Sequence, residues 1–269
     1  MSDDTAPIIH ALSYAQQAGE PVALATVIST QGSMPRHAGS KMLIRADGTT
    51  LGTIGGGAME SLVIQAGLNA LISEKATLQT YTLNNLADGD PGICGGTAQI
   101  FIEPFNPPNT IIIIGAGHVG VAMAGLAHWM GYRVILSDDR PEFCNPQVVA
   151  GLAKYVVCMP QELTQYVTID EKMAIVAVTR GLPIDLALLP ALLATPARYI
   201  GVIGSKRRWA LTLQALRDVY PLTDAELARI HAPIGLEIGA ETPKEIAVSI
   251  LSEIIMHQRG GTGAPMRDK

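Results

Sequence analysis

Hydrophobic positions follow two different patterns in the two halves of the chain. In the first half, strand-like segments such as Val22–Ser29 and Lys41–Arg45 alternate with turns, and Asp47-Gly48 is typical of a tight hairpin. Helical spacing then appears, with apolar residues at Met59, Leu62, Val63, Ala66, Ala70 and Leu71. This mixture predicts an N-terminal α+β domain over residues 1–105, with a short helix over 8–18 and a closing strand over 99–103.

The pattern changes after Asn106-Pro107-Pro108-Asn109, which can continue neither a helix nor a strand. Ile111–Ile114 is a continuous apolar run, as expected of a parallel strand that is covered on both faces. Further strand candidates alternate with helical stretches: Arg133–Ser137, Tyr155–Cys158, Met173–Thr179 and Arg198–Ile203. This alternation predicts an α/β fold with a Rossmann-like, doubly wound parallel sheet over residues 110–258.

Two helices of the second half carry proline. Pro190 lies within the helical stretch Asp185–Leu193, where it either kinks the helix or marks its start. The segment Thr242–Glu245 supplies a capping threonine, a proline at the first helical position and a glutamate that can bond back to the cap. It predicts a last helix ending near Gln258, followed by a flexible tail over residues 259–269.

Charge and composition exclude several classes of function. The net charge is −5 and no basic stretch is long enough to follow a phosphate backbone, so nucleic acid is excluded as a partner. No segment reaches the roughly 20 apolar residues of a membrane span, and the acidic N-terminus is unlike a signal peptide. The three cysteines, Cys94, Cys144 and Cys158, fit neither a disulfide framework nor a metal site, which favours a reduced cytoplasmic location.

A glycine-rich turn joins the first strand and helix of the second half. In Gly115-Ala-Gly117-His118-Val-Gly120, the first glycine makes the turn, the second admits a pyrophosphate and the third allows close packing. The following helix start presents N–H groups to an anion. The turn predicts a nucleotide-binding site, with NAD(P) as a candidate ligand.

Asp138 ends the next strand about 20 residues further on, where a carboxylate can bond a ribose hydroxyl. Asp139 is a near-equal candidate. Arg140 leaves open the alternative that the ligand carries a 2′-phosphate. The alternative is a domain that packs in this way but has lost its nucleotide. His118 either faces the ligand or serves only as a hydrogen-bonding residue at the helix start.

A second strand-to-helix loop lies at the same edge of the sheet. Ser205 could cap the following helix, and Lys206 or Arg207 could face a phosphate, so Ser205 and Lys206 are candidate ligand-binding residues. The alternative is that Ser205 caps the helix and the basic residues are solvated.

Two segments of the first half also carry candidate chemistry. The Gly55-Gly56-Gly57 run either forms a nest of N–H groups for an anion or makes a sharp turn, and Glu60 either acts in catalysis or favours the helix dipole. Cys94 lies between glycines in Asp90–Gly96, where N–H groups could stabilise a thiolate.

The chain resembles the xanthine dehydrogenase accessory protein family (the XdhC/CoxI group) in an ordered set of segments from about Gln31 to Ile255. The segments are Gly32–Arg36, Gly39–Met42, Gly52–Glu60, Asp90–Gly96, Gly115–Gly120, Asp138–Phe143, Tyr199–Lys206, His231–Leu236 and Glu241–Pro243. Each segment alone is weak evidence, whereas their ordered combination is specific.

The resemblance implies an accessory protein that binds molybdenum cofactor, retains it during installation of a terminal sulfur ligand, and inserts it into a molybdenum hydroxylase. The implied partners are a cysteine desulfurase and an apo-enzyme of the xanthine dehydrogenase type. The family's Cys-Gly-Gly segment falls on Cys94, Gly95 and Gly96, which makes Cys94 the leading cofactor-contacting thiol, and Gly55–Gly57 a candidate for the pterin phosphate.

Two other functions remain open. The glycine turn and Asp138 would equally serve an NAD(P)-dependent oxidoreductase, although the chain offers no Tyr-x-x-x-Lys pair in the sheet region to relay protons. A regulator that senses a redox state or a ligand is the other alternative. We expect a homodimer because closed twofold symmetry is common among soluble proteins.

Overall fold

A computed structural model describes residues 5–82 and 96–268 of the chain. The chain divides into two compact units, Met1–Pro107 and Pro108–Lys269. The first contains an antiparallel sheet and the second a parallel sheet, so the predicted fold class is confirmed.

The first unit is a five-stranded antiparallel sheet with helices on its two faces. Its strands have the order β3-β2-β1-β5-β4. The elements in chain order are α1 (Thr5–Ala18), β1 (Val22–Gln31), β2 (Lys41–Arg45), β3 (Thr50–Gly52), α2 (Gly57–Ser73), β4 (Thr77–Thr82) and β5 (Thr97–Phe105).

The central strand β1 explains why this sheet is covered on both sides. Ala23, Ala25 and Val27 face the core that includes α2, whereas Val22 and Leu24 belong to the core that includes α1. Since successive side chains point to opposite faces, a strand covered twice is apolar at nearly every position.

The second unit is a six-stranded parallel sheet in the order β11-β10-β9-β6-β7-β8. Its elements are β6 (Thr110–Ile114), α3 (His118–Trp129), β7 (Arg133–Asp138), β8 (Lys154–Val157), α4 (Leu163–Tyr166), β9 (Ala174–Ala177), α5 (Leu182–Leu193), β10 (Tyr199–Val202), α6 (Lys206–Val219), α7 (Asp224–Leu227), β11 (Ile230–His231) and α8 (Pro243–Arg259).

The order of the strands sets the position of a crevice. The chain runs outward from β6 through β7 to β8, and then returns to the opposite side of β6 with β9. Loops that follow β6 and β9 therefore leave in opposite directions, which opens a crevice at their carboxyl ends.

The helix boundaries settle one alternative and confirm one prediction. Helix α5 begins at Leu182 and contains Pro190 in its interior, so the interpretation of Pro190 as the helix start was wrong. At α8 the capping box is present: Thr242 Oγ1 accepts from the N–H of Glu245 at 3.3 Å, and the Glu245 carboxylate accepts from the N–H of Thr242 at 2.8 Å.

The sequence did not predict the edge strand β4, since its residues are mostly polar and none is fully buried. Across residues 5–82 and 96–268, every helix is too short or too polar to cross a bilayer.

Helix α3 contains two glycines that predict opposite effects of an added methyl group. A Cβ on Gly120 would lie 1.8 Å from the carbonyl oxygen of Gly115, whereas a Cβ on Gly125 meets no atom within 4 Å. We expect Gly120→Ala to destabilise the protein by about 3 kcal/mol or more, because the helix must move away from the glycine-rich turn. Urea unfolding of the purified variant measures the change.

Gly125→Ala is the matched control in the same helix. It should stabilise the protein by about 0.5–1 kcal/mol, since alanine loses less backbone entropy in a helix. Equal effects of the two substitutions would contradict the close contact between Gly120 of α3 and Gly115 of the turn.

Candidate functional site

A cavity of about 920 Å³ lies in the second unit, at the carboxyl edge of the parallel sheet. Loops after β6, β7 and β9 line it, together with the first residues of α8. The volume falls in the range of about 300–1,000 Å³ that is usual for small-molecule and cofactor sites. The crevice expected from the strand order is therefore a cavity large enough for an organic ligand.

The glycine-rich turn forms one wall of this cavity. Gly115 has a φ of 110°, and a Cβ there would lie 2.6 Å from the carbonyl oxygen of Val178 on the neighbouring loop. Gly117 differs, since a Cβ on it would point into open space. The contacts at Gly115 and Gly120 close the turn against the protein, and the free side of Gly117 leaves room for a ligand beside the backbone.

Helix α3 begins at this wall and directs its N-terminus into the cavity. His118 is its first residue and lines the cavity, and the N-cap Gly117 provides no side chain to bond the first N–H groups. The N–H groups of a first turn carry partial positive charge and favour an anion. This wall is therefore suited to a phosphate group.

Asp138 lies at the end of β7, and its carboxylate is already saturated with hydrogen bonds. Oδ2 accepts from the N–H of Ala116 at 2.6 Å and from Arg140 Nη2 at 3.0 Å. Oδ1 accepts from the backbone N–H of Arg140 at 3.0 Å and from its Nε at 2.8 Å. The two oxygens of a carboxylate offer about four acceptor positions, and these four bonds use them.

The pKa of Asp138 reflects this surrounding. Burial by itself raises the pKa, but the hydrogen bonds from the Arg140 side chain and the N–H of Ala116 outweigh it and hold the pKa at about 2. The carboxylate therefore stays ionised at any physiological pH.

A second ion pair lies beside the first at the mouth of the cavity. Arg180, which follows β9, donates from Nη2 to both oxygens of Asp139, at 2.7 and 2.9 Å. Both side chains line the cavity and are partly exposed. This pair joins the loop after β7 to the loop after β9 across the crevice.

A buried network supports the loop after β9 from behind. The Thr179 hydroxyl donates to the Asp185 carboxylate, which is 1% exposed and also pairs with Arg208 Nη2 at 2.6 Å. Ser205 caps α6 by accepting from the N–H of Arg208 at 3.1 Å. The sequence did not predict Asp185 and Arg208 as site residues, because only the fold brings the starts of α5 and α6 together.

Ser205 and Lys206 do not occur among the described residues that line the cavity. Their phosphate contact stays a prediction. Lys244 lines the cavity from the first turn of α8 and was not predicted. Its only sequence signal is its place directly after the capping Thr242-Pro243 pair.

In the first unit, three of the segments that resemble the family meet near the end of β1 and the start of β5. A Cβ on Gly96 would lie 2.5 Å from the Ser33 carbonyl oxygen and 2.7 Å from Met34 Sδ. A Cβ on Gly55 would lie 2.8 Å from Pro35 Cγ. The segment Ser33–Pro35 therefore packs against both Gly55 and Gly96. Cys94 and Gly95 lie outside the described residues.

The carboxylate of Glu60 organises the turn Gly55–Gly57. Its Oε2 accepts from the Thr53 hydroxyl at 2.6 Å, from the N–H of Gly56 at 3.0 Å and from the N–H of Ile54 at 3.3 Å. The N–H of Gly55 donates to the Thr53 hydroxyl oxygen at 3.2 Å. The protein's own carboxylate thus already bonds part of this glycine-rich backbone.

We expect Glu60→Ala to destabilise the first unit by about 1–3 kcal/mol, because it removes the charged acceptor of three donors. Glu60→Gln should restore part of this loss, since it keeps an oxygen. Urea unfolding measures both variants. Glu20→Ala removes a carboxylate from an exposed position and should change stability by less than about 0.5 kcal/mol. If Glu60→Ala matches that control, Glu60 does not hold the turn.

Because of Asp138, we expect the free energy of unfolding of the second unit to decrease at low pH. A carboxyl whose pKa is lowered on folding contributes stability above its unfolded pKa, near 3.8, and loses it as the pH falls towards 2. Urea unfolding gives the difference in free energy of unfolding between the wild type and Asp138→Asn. This difference should be about 1 kcal/mol smaller at pH 3 than at pH 7. Asp224→Asn, in an exposed ion pair, is the control. A constant difference would contradict the described bonds.

Comparisons with known proteins agree with this architecture. The family model described as "XdhC and CoxI family" matches residues 15–82, and the model described as "XdhC Rossmann domain" matches residues 111–254. A solved structure described as a xanthine dehydrogenase from Bacillus halodurans has 22% sequence identity and a TM-score of 0.52, with 95% of this chain and 97% of that chain covered. It shares the fold.

Two curated relatives come from Escherichia coli (strain K12). The protein YqeB is 33% identical over 249 residues, which cover 91% of this chain and 45% of YqeB. The molybdenum cofactor insertion chaperone PaoD is 22% identical over an alignment of 318 positions, gaps included, which covers 98% of this chain and 93% of PaoD. The chain therefore spans about half the length of YqeB and nearly all of PaoD. By the match of both family models, in order, the chain belongs to the XdhC and CoxI family.

Proposed function

We propose that the protein is a maturation factor that binds molybdenum cofactor and inserts it into a xanthine dehydrogenase-type hydroxylase. The observation that carries this proposal is the ordered match of both family domains, joined by the likeness to PaoD, which is named as an insertion chaperone. The cofactor is cargo here, so the protein acts as an accessory factor and not as the dehydrogenase itself.

The first unit is our candidate for the cargo site. Ser33–Pro35 contacts Gly55 on one side and Gly96 on the other, and Cys94 is only two residues before Gly96. A thiolate is a soft ligand that suits a sulfur-rich molybdenum centre. We therefore retain Cys94 as the group that contacts the cargo.

The turn Gly55–Gly57 is a weaker candidate for binding the pterin phosphate, because part of its backbone is already hydrogen-bonded. The N–H groups of Gly55 and Gly56 already donate to Thr53 and Glu60. A phosphate at this turn would have to displace the Glu60 carboxylate or use other N–H groups, such as those of the segment that contains Gly95. We assign Glu60 to positioning the turn, and leave the phosphate to the glycines around Cys94.

In the second unit, we propose that the cavity binds a phosphate-bearing nucleotide. The uncapped start of α3, the open side of Gly117 and the size of the cavity support this assignment. The nucleotide would be a resident ligand, distinct from the cargo of the first unit.

The same cavity favours a second candidate function, an NAD(P)-dependent oxidoreductase. Its glycine turn and helix start suit a dinucleotide pyrophosphate. Turnover of NADH or NADPH with a small redox substrate would support this function, and binding without turnover would support the accessory role.

We further propose that a cysteine desulfurase supplies the terminal sulfur ligand while the cargo is bound. A homodimer is our expectation for the assembly. A reducing cytoplasm suits the protein, since Cys144 and Cys158 are free thiols in the described part of the chain.

Cys94→Ala tests the cargo site. The protein, expressed in cells that make molybdenum cofactor, should co-purify with pterin, and the substitution should lower the pterin content at least tenfold because it removes the soft ligand. Fluorescence of the oxidised pterin, released by acid and normalised to protein, measures the content.

Cys158→Ala is the control, because it removes a buried thiol of the second unit and should retain the pterin. A wild type without pterin argues against cofactor binding. A normal pterin content in Cys94→Ala argues against the assigned site.

A further inference from the structure

The carboxylate that would bond a ribose hydroxyl is already bonded within the protein. In dinucleotide-binding folds, an acidic residue at the end of the second strand accepts a hydrogen bond from the ribose 2′-hydroxyl. Asp138 occupies this position, yet its acceptor positions are taken by the N–H of Ala116 and by three N–H groups of Arg140. A free 2′-hydroxyl therefore meets a carboxylate that has no acceptor position left.

Releasing that carboxylate is unfavourable. The Asp138 side chain is 3% exposed, so moving the Arg140 guanidinium away would leave a buried charge that is bonded by the backbone N–H groups of Ala116 and Arg140 but has lost its counter-ion. Breaking one partner out of a buried ion pair is costly, because the remaining charge has neither water nor a counter-ion. The closed state of this pair thus disfavours a ligand that needs Asp138.

Arg140 itself has donors to spare. Its described bonds to Asp138 use Nε and Nη2, and a guanidinium carries five N–H groups. Its carbon Cζ lies 4.1 Å from the centre of the Phe143 ring, so one face of the guanidinium is fixed against an aromatic side chain. Arg140 also lines the cavity. The guanidinium is therefore held in place with N–H groups that can reach a bound phosphate.

The pairing of Asp139 and the position of Lys244 also favour a phosphate. Asp139, the other acidic candidate, has both oxygens bonded by Arg180. Lys244 adds a cation at the first turn of α8. Asp138 and Asp139 are thus each paired with an arginine, and arginine matches the geometry of phosphate oxygens better than that of a hydroxyl. Glu142 also lines the cavity and adds a negative charge near Arg140.

We propose that this cavity selects an adenine dinucleotide that carries a 2′-phosphate over one with a free 2′-hydroxyl, and that Arg140 contacts the phosphate. The inference rests on the proposed function, in which the cavity binds a nucleotide. It adds the class of nucleotide and the residue that determines the selection.

The experiment compares NADPH with NADH, and 2′,5′-ADP with 5′-AMP, by fluorescence and calorimetric titration of the full chain at one ionic strength. The wild type should bind each 2′-phosphorylated ligand at least tenfold more tightly than its partner. Arg140→Gln should lower the affinity for NADPH at least tenfold and raise that for NADH, because it frees acceptor positions on Asp138. This reciprocal change would not follow from a general loss of structure.

Two further variants control the interpretation. Arg133→Gln removes an exposed arginine at the opposite end of β7, and should leave the preference unchanged. Arg140→Lys keeps the charge without the planar guanidinium and should give an intermediate preference. It replaces Arg140→Gln in the test if circular dichroism shows that Arg140→Gln is unstable.

The outcomes separate the two proposals. Equal affinities in the wild type, or a uniform loss for both dinucleotides in Arg140→Gln and Arg140→Lys, would overturn the selection while nucleotide binding stands. Failure of all four ligands to bind the wild type would overturn the nucleotide assignment itself, and the selection with it.

Discussion

The second unit depends on one carboxylate that joins two strands at the edge of the sheet. Asp138 ends β7, and it accepts from the N–H of Ala116 in the glycine turn after β6. The same side chain fixes Arg140 through the three N–H groups that it accepts from that residue. The glycine turn, the loop after β7 and the guanidinium beside the cavity therefore keep one arrangement as long as this buried ion remains bonded.

The two units supply different chemistry to a maturation factor. The first offers a junction at which Ser33–Pro35 contacts Gly55 and Gly96, and Cys94 precedes Gly96 by two positions in the sequence. The second offers a cavity with a helix start, two arginine–carboxylate pairs and a lysine. A thiol suits a sulfur-rich metal cargo, whereas the cavity suits a phosphate-bearing nucleotide. We therefore assign cargo and nucleotide to separate units.

The sequence predicts those features that depend on local chain geometry. The glycine turn, the place of Asp138 and the capping box of α8 all follow from spacing along the chain. It does not reveal that Arg140 fills the acceptor positions of Asp138, since this depends on the shape of the loop after β7. Nor does it show Lys244 in the cavity, because the packing of α8 brings it there. The edge strand β4 escapes prediction because its residues are mostly polar.

Hydrogen–deuterium exchange of the intact chain tests the separation of cargo and nucleotide most directly. Added NADPH should slow exchange in peptides that cover residues 115–121 and 138–143, because the ligand would shield the glycine turn and the loop of Arg140. Added molybdopterin should instead slow exchange in peptides that cover residues 31–36 and 53–60. Protection of the glycine turn by molybdopterin, without any change in the first unit, would contradict the account.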